Sequence, residues 1–272
     1  MAAKGNFFKL MTANLKRAFG WRFLTAVILT VCFLIFDMWT DFTAIFSGVS
    51  GFSVWYFYFF SVVMMGTYSS NLLPMLAAFP FSSSYCEEQE AGMTPFIVSR
   101  TSRNAYCISK MLSGALAGGI TLSFGVLLHT VLLSTQLPLF DAEALRQMQV
   151  LPYYAPLAKG NGIGYFLIGA YLAFLRGMLA AASAMVVSAY IPNKYVTIAS
   201  PFILNFIYIR ACNLLQIPNQ ARLDLLLRGR SSTGTDSGTL LWVSITVVLL
   251  VFLCGILFTR RVRREIGYGS VS

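Results

Sequence analysis

The chain has 272 residues, of which 57% are hydrophobic and only 11% are charged. Soluble domains carry charge on about a quarter of their residues, so this composition excludes an ordinary soluble protein and predicts a membrane protein. The formal net charge of +10 would suit nucleic acid. However, the cations flank apolar segments instead of covering one solvated face, which favours anionic lipid and orientation signals over nucleic acid.

The first residues predict a helix that lies in the membrane interface over 1–19. Phe8, Met11, Leu15 and Phe19 recur at helical spacing, while the lysines between them fall on other faces of the helix. No small-residue cleavage pattern follows the first apolar run. We therefore expect a retained first span and not a removed signal peptide.

A helix needs about 20 mostly apolar residues to cross about 30 Å of lipid tails. This length predicts an all-α integral membrane protein with six spans in a single transmembrane permease domain, 1–272, in which the spans occupy 20–259. The second span is predicted to be one long helix, because glycines and serines open its charge-free stretch and Pro74 and Pro80 close it. The predicted spans are Gly20–Trp39, Val54–Phe79, Tyr106–Thr135, Gly164–Tyr190, Tyr195–Cys212 and Thr239–Thr259.

The distribution of cations predicts the orientation of these spans. With both termini in the cytoplasm, thirteen cations lie on the inner side and six on the outer side, as the positive-inside rule requires. The inner set includes Arg22, which can snorkel to the interface, and a basic cytoplasmic tail over 260–272. We expect a multi-pass protein of the plasma membrane. A short helix over Gln220–Arg228 is predicted in the last outer loop.

A polar segment, Tyr85–Lys110, separates the second and third predicted spans, and we call it the polar connector. Its sequence places three carboxylates before a glycine, then a short amphipathic run, then three cations. This pattern predicts a cytoplasmic connector that contains a short helix. In chain order its features are Glu87, Glu88, Glu90, Gly92, the run Met93–Val98, Arg100, Arg103 and Lys110.

The polar connector resembles the corresponding segment of the membrane subunits of type-2 ABC (ATP-binding-cassette) exporters. The resemblance is carried by Glu88-x-Glu90-x-Gly92, an apolar run, Ser99–Arg103, then Tyr106 and Ser109–Lys110 leading into a span. In one departure, Met93 stands where a small polar residue is expected and Thr94 follows one position later. The resemblance implies a coupling helix that sits in a cleft of an ATPase. The coupling residues that it implies are Glu87, Glu88, Glu90, Gly92, Thr94, Arg100, Arg103 and Lys110.

The same resemblance implies what this chain needs from other subunits. The sequence has no Walker-type G-x-x-x-x-G-K-[ST] motif, so ATP and magnesium would bind in separate ATP-binding-cassette ATPase subunits. We expect no cofactor and no enzymatic activity in this chain, a second permease subunit, identical or related, and contact with membrane lipid. The expected function is export of an amphipathic or hydrophobic substrate, with a peptide as one candidate.

Two other functions stay open at the level of sequence. An ion- or proton-coupled secondary transporter would use charged residues within the spans and need no ATPase. A membrane subunit for peptide sensing or immunity would bind a toxic peptide without moving it. Ligand-dependent ATPase activity without net transport would distinguish that subunit from an exporter.

Two residues within the predicted spans suggest a pathway or interface. Arg176 lies near the middle of the fourth span, where it either contacts an anionic or peptide group of a substrate or hydrogen-bonds helix carbonyls. His129, in the third span, is either a proton-sensitive gate or, as we expect, a hydrogen-bonded interface histidine. The five cysteines form no C-x-x-C pair, so the sequence indicates neither a disulfide framework nor a metal site.

Overall fold

The computed structural model describes residues 2–46, 51–141, 144–146, 149, 151–158 and 161–268. These residues form thirteen α-helices and no strand, which confirms the all-α class. A π-helical turn, Phe59–Val63, continues α4, and a 3-10 turn, Asn219–Ala221, precedes α12. The helices are α1 (Ala2–Ala18), α2 (Trp21–Phe36), α3 (Trp39–Phe46), α4 (Val54–Tyr58), α5 (Thr67–Ala78), α6 (Ser84–Glu90), α7 (Thr94–Arg100), α8 (Arg103–Ser134), α9 (Ala155–Ala158), α10 (Gly162–Tyr190), α11 (Lys194–Leu214), α12 (Leu223–Leu227) and α13 (Asp236–Tyr268).

Among the described residues, four helices are long and apolar enough to cross a membrane: α8, α10, α11 and α13. The segments Phe7–Ala18 and Trp21–Phe36 would make a fifth span together, although they bend by 47° where they meet. These lengths are compatible with a membrane protein. The predicted number of spans, six, is larger than the number of these helices, and it stays a prediction. The helix predicted at the start of the chain is present as α1, and its position in the membrane interface stays a prediction.

Some predicted features lie at the edge of the described chain. The basic tail predicted after Thr259 continues as helix α13 through Tyr268, and 269–272 lie outside the described residues. Of the predicted orientation signals, Lys159 and the side chain of Lys4 also lie outside them. The predicted helix over Gln220–Arg228 is present in a shorter form, as α12 and the 3-10 turn before it.

Helices α8 and α10 form the centre of the bundle, and α1, α2, α5 and α13 pack around them. The two central helices approach closely at Gly118. A methyl group added to Gly118 would lie 2.5 Å from the Cβ of Ala181 and 2.7 Å from the carbonyl oxygen of Gly177. Only glycine permits this spacing, so the two central helices pack closely at this point.

The prediction of one long helix over Val54–Phe79 is wrong. The chain passes through the π-helical turn, adopts a left-handed conformation at Met65 (φ 57°) and begins a new helix, α5, at Thr67. The new helix starts here because Asp37 satisfies its first amides. The two oxygens of Asp37 accept hydrogen bonds of 2.8 Å from the backbone N–H groups of Tyr68 and Ser69.

Removal of this cap tests the reason for the break. Asp37→Ala should lower the free energy of unfolding by about 0.5–2 kcal/mol, because two amides at the start of α5 lose their acceptor. Asp37→Asn, which keeps one acceptor oxygen, should lose less. The measurement is unfolding by sodium dodecyl sulfate in mixed micelles.

Asp41→Ala is the matched control. Asp41 accepts a hydrogen bond of 3.2 Å from the hydroxyl of Tyr56 and caps no amide of α5. Its replacement should therefore cost clearly less than that of Asp37. Equal losses from the two alanine variants would contradict the role of Asp37 as the cap of α5.

Candidate functional site

The polar connector folds as two short helices, α6 and α7, joined by a tight turn at Gly92. Gly92 has a φ of +63°, in the left-handed region that favours glycine. Its N–H donates to the carbonyl of Gln89 (3.0 Å), and the N–H of Met93 donates to the carbonyl of Glu88 (2.9 Å). These two bonds form a Schellman turn, which ends α6 and satisfies its last carbonyls. The chain therefore breaks sharply at Gly92, between α6 and α7.

Helix α7 is the short helix predicted within the polar connector, and α8 follows it almost at once. Ser102 caps α8, since its hydroxyl accepts a hydrogen bond of 3.2 Å from the N–H of Ala105. The connection between α7 and α8 therefore contains only Thr101 and Ser102. With both ends joined to helices by tight turns, α7 has little freedom to move apart from its neighbours.

A buried carboxylate, Glu88, holds α6 against α1 and α8. One oxygen accepts hydrogen bonds from the ammonium of Lys110 (2.7 Å) and the guanidinium of Arg17 (2.9 Å). The other accepts a hydrogen bond of 2.7 Å from the hydroxyl of Tyr106. Lys110 is fully buried (0% exposed), and it also donates to the hydroxyl of Ser84 (3.0 Å). The group satisfies each buried charge with at least one opposite charge and one neutral partner.

The energetic consequence follows from the burial of these charges. Charges taken out of water lose solvation, and their attraction in the interior restores it only while both partners are present. The ammonium of Lys110 also lies 5.2 Å from the ring centroid of Phe81, within the range of a cation–π contact. Loss of either charge would leave the other without its main source of stabilisation.

Glu87 receives one cation from each side of the bend between α1 and α2. The guanidinium groups of Arg17 and Arg22 each donate to one of its oxygens at 2.5 Å, and the hydroxyl of Ser83 donates at 3.0 Å. Burial alone would raise the pKa of Glu87, but the hydrogen bonds from Arg22, Arg17 and Ser83 together bring it below its ordinary value. Glu87 therefore stays ionised at neutral pH.

The third carboxylate of the polar connector, Glu90, lies at the surface. It pairs with Lys194, at the start of α11, at 2.7 Å. Both side chains are in solvent, so the pair contributes little stability. On the opposite side of α6, Tyr85 and Gln89 each donate a hydrogen bond to Glu265 of α13 (2.7 and 2.9 Å). Helix α6 is thus tied to α1, α8, α11 and α13.

The three carboxylates of the polar connector, Glu87, Glu88 and Glu90, each pair with cations of this chain. Arg22, expected to snorkel into the lipid interface, is bound to Glu87. The proposed role of these residues in coupling stays a prediction.

Helix α7 presents an apolar surface at its tip. Phe96 is 71% exposed, and Met93, at the turn, is 55% exposed. The side chain of Thr94, the first residue of α7, is buried. Arg100 and Arg103 are exposed at the other end of α7. Large exposed apolar side chains beside cations are typical of a surface that contacts another molecule. We call Met93 and Phe96 the apolar tip.

Arg176 lies apart from the polar connector, in the middle of α10. Its guanidinium donates to the thioether sulfur of Met65 (2.8 Å) and, at 3.4 Å, to the carbonyl of Ser70. It lines a cavity of about 320 Å³. A thioether is a weak acceptor and the carbonyl contact is long, so neither compensates well for the desolvation of a guanidinium.

His129 is buried in α8, as predicted for an interface histidine, but it is not satisfied. Both ring nitrogens lack a hydrogen-bond partner among the described residues. The reason lies in its place on the helix, since Val126 and Leu133, which share its face of α8, are also buried and apolar. His129 does not line the cavities that contain Arg176, so the described structure does not bring the two candidate pathway residues together.

Sequence reasoning missed several partners in this site because they are distant along the chain. Arg17 precedes Glu87 by 70 residues, and Glu265 follows Tyr85 by 180. The sequence contains one local sign of these partners, a pair of arginines close together in the chain. Arg17 and Arg22 flank Gly20 at the end of a helix, and we assigned both to lipid and orientation.

Comparison with protein-family models, with curated proteins and with solved structures finds no match for this chain. Function is therefore inferred from the residues of the polar connector, from their geometry and from the resemblance already described.

A double-mutant cycle tests the buried pair. Glu88→Gln should lower the free energy of unfolding by about 3–5 kcal/mol, because Lys110 stays buried without a carboxylate. Lys110→Met should cost less, since Glu88 keeps Arg17 and Tyr106. The double variant should lose less than the sum of the two single losses. The measurement is unfolding in mixed micelles.

Glu90→Gln is the matched control for this cycle, because Lys194, its partner among the described residues, is also exposed. It should change the stability little. Additive losses from Glu88→Gln and Lys110→Met would show that the two side chains do not interact as described.

Proposed function

We propose that this chain is the transmembrane permease subunit of an ATP-driven exporter of the ABC type, coupled to a separate ATPase through α7. The observation that carries the proposal is the apolar tip, which α7 exposes while a buried ion pair holds its flanking helices together. A cleft in a partner protein can enclose Phe96 and Met93, and Arg100 and Arg103 can contact carboxylates around them.

The coupling mechanism follows from the rigidity of this arrangement. When two ATPase subunits close on ATP, they displace whatever sits in their clefts. A displacement of α7 passes to α6 and α8, because both connections are tight and because Glu88 and Lys110 join the two helices. Helix α8 runs for 32 residues alongside α10, so motion at its start reaches the centre of the bundle.

The proposal includes a second permease subunit. Rows of large apolar side chains are exposed on α2, α11 and α13, among them Ile28, Phe206 and Phe252. Such rows suit lipid or the surface of a second copy. We propose that both termini lie in the cytoplasm, that the protein resides in the plasma membrane, and that the exported substrate is amphipathic or hydrophobic.

One observation favours a second candidate, a gradient-driven transporter. The cavity beside Arg176 provides a charged residue at the depth where such transporters bind their substrates. In that case the purified chain alone would transport in liposomes with an ion gradient and no ATPase. Transport that requires ATP and the partner subunit would exclude this candidate.

The test is a pull-down of the tagged chain from its native membrane in mild detergent. The wild type should retain a stoichiometric protein that carries a Walker motif and hydrolyses ATP. Phe96→Ser should reduce the retained amount at least about tenfold, because buried aromatic anchors contribute most of the affinity at such interfaces.

Tyr195→Ser is the matched control, since Tyr195 is also an exposed aromatic residue (83%) but belongs to α11. It should retain the ATPase as the wild type does. A wild-type chain that purifies without any ATPase, or a Phe96→Ser variant that retains as much as the wild type, would contradict coupling through α7.

A further inference from the structure

Two adjoining cavities lie between α5, α10, α11 and the α12 segment. The first, of about 320 Å³, has mainly apolar walls, with leucines from α10, α11, α12 and α13. The second, of about 470 Å³, has mainly polar walls that include Arg222, Arg230 and Asn219. Asp224 and Arg228 line both cavities. The combined space is therefore apolar at one end and polar at the other, with Arg228 at the boundary.

The charges around this space do not balance. Asp224 is its carboxylate, and Arg222 occupies both oxygens of Asp224 with donors at 3.2 and 3.0 Å. Arg176 has the thioether of Met65 and one long contact to a carbonyl. Among the described residues, the guanidinium of Arg228 forms no hydrogen bond and no ion pair. Two guanidinium groups thus line the apolar cavity without a hydrogen bond to a carboxylate among the described residues, although Asp224 attracts both at longer range.

An anion would complete this arrangement. A guanidinium binds a carboxylate or a phosphate through two parallel hydrogen bonds, and the interaction is strong where water is scarce. Partial burial of a guanidinium without an anion is unfavourable. We propose that these cavities bind a single-chain amphiphile with an anionic head group, which Arg228 and Arg176 hold while its chain lies among the leucines.

The walls favour an acyl chain over a peptide. A peptide would bring several N–H and C=O groups into the apolar cavity, and each would need a hydrogen-bond partner there. The polar groups on those walls are largely in use. The hydroxyl of Ser183 donates to Ala180, and the hydroxyl of Tyr208 accepts from the N–H of Leu223. The volume of the apolar cavity, about 320 Å³, is near the lower limit for ligand pockets, so it favours a ligand with one acyl chain over a ligand with two.

This proposal does not rest on an ATPase partner, because it concerns binding to the chain alone. The test uses the full chain in nanodiscs of phosphatidylcholine, with empty nanodiscs subtracted, and three labelled probes with the same acyl chain. Laurate carries a carboxylate, lauroyl lysophosphatidate carries a phosphate, and monolaurin carries no charge. We expect one or both anionic probes to bind at least about tenfold more tightly than monolaurin. The stronger of the two identifies the head group.

Variants locate the site. Arg228→Gln and Arg176→Gln should each weaken binding of the anionic probe about tenfold or more, and Arg228→Lys should retain part of it. Arg210→Gln is the matched control, because Arg210 is an exposed arginine of α11 that lines neither cavity. It should bind as the wild type does. Melting temperatures show which variants are folded, and Arg228→Gln, outside the long helices, decides the question if Arg176→Gln is unstable.

Several results would overturn the proposal. Monolaurin could bind as tightly as the anionic probes, which would make the cavity a purely apolar site. A folded Arg228→Gln variant could bind the anionic probe as the wild type does, which would place the anion elsewhere. A hydrophobic peptide that binds at this site while both anionic probes fail would assign the cavities to a different ligand.

Discussion

The buried ion pair between Glu88 and Lys110 is the interaction on which the rest of the site depends. It lies where α1, α6 and α8 meet, and Arg17 and Tyr106 complete it. Buried charges are stable only when each one has its ionic and hydrogen-bonding partners. Any movement that separates the three helices would leave a buried charge unpaired, which is unfavourable. Glu87 also connects α6 to the start of α2, because it accepts a hydrogen bond from Arg22. The exposed tip of α7 is therefore attached to a fixed base.

The molecule treats its buried charges in two ways. At the polar connector, carboxylates and cations neutralise each other within the chain. In the cavities beside α12, Asp224 pairs with Arg222, while Arg176 and Arg228 form no hydrogen bond to a carboxylate among the described residues. The first arrangement suits a mechanical connection, which needs rigidity. The second suits a binding site, which needs charge that a ligand completes. Transport driven by a separate ATPase would use both arrangements. The ATPase would displace α7, and the helix bundle would bind the ligand.

Local patterns in the sequence were sufficient where the structure depends on local chemistry. The predicted span Gly164–Tyr190 corresponds to α10, Gly162–Tyr190, and the turn at Gly92 follows from the conformation that glycine allows. The break after Met65 was not predictable, because its cause, Asp37, belongs to a different helix. The partners of Glu87 and Glu88 were missed for the same reason. Composition identifies charged residues, but only the packing of α1 against α8 shows which of them meet.

The most direct test of this account is hydrogen–deuterium exchange of the chain in nanodiscs, with and without Glu88→Gln. If the buried pair fixes the base of α7, amides in 84–100 should exchange at least about tenfold faster in the variant, since loss of about 1.4 kcal/mol of local stability has that effect. Amides in the centre of α10 should be accelerated clearly less. Unchanged exchange in 84–100, or equal acceleration throughout α10, would contradict the claim that Glu88 holds this segment in place.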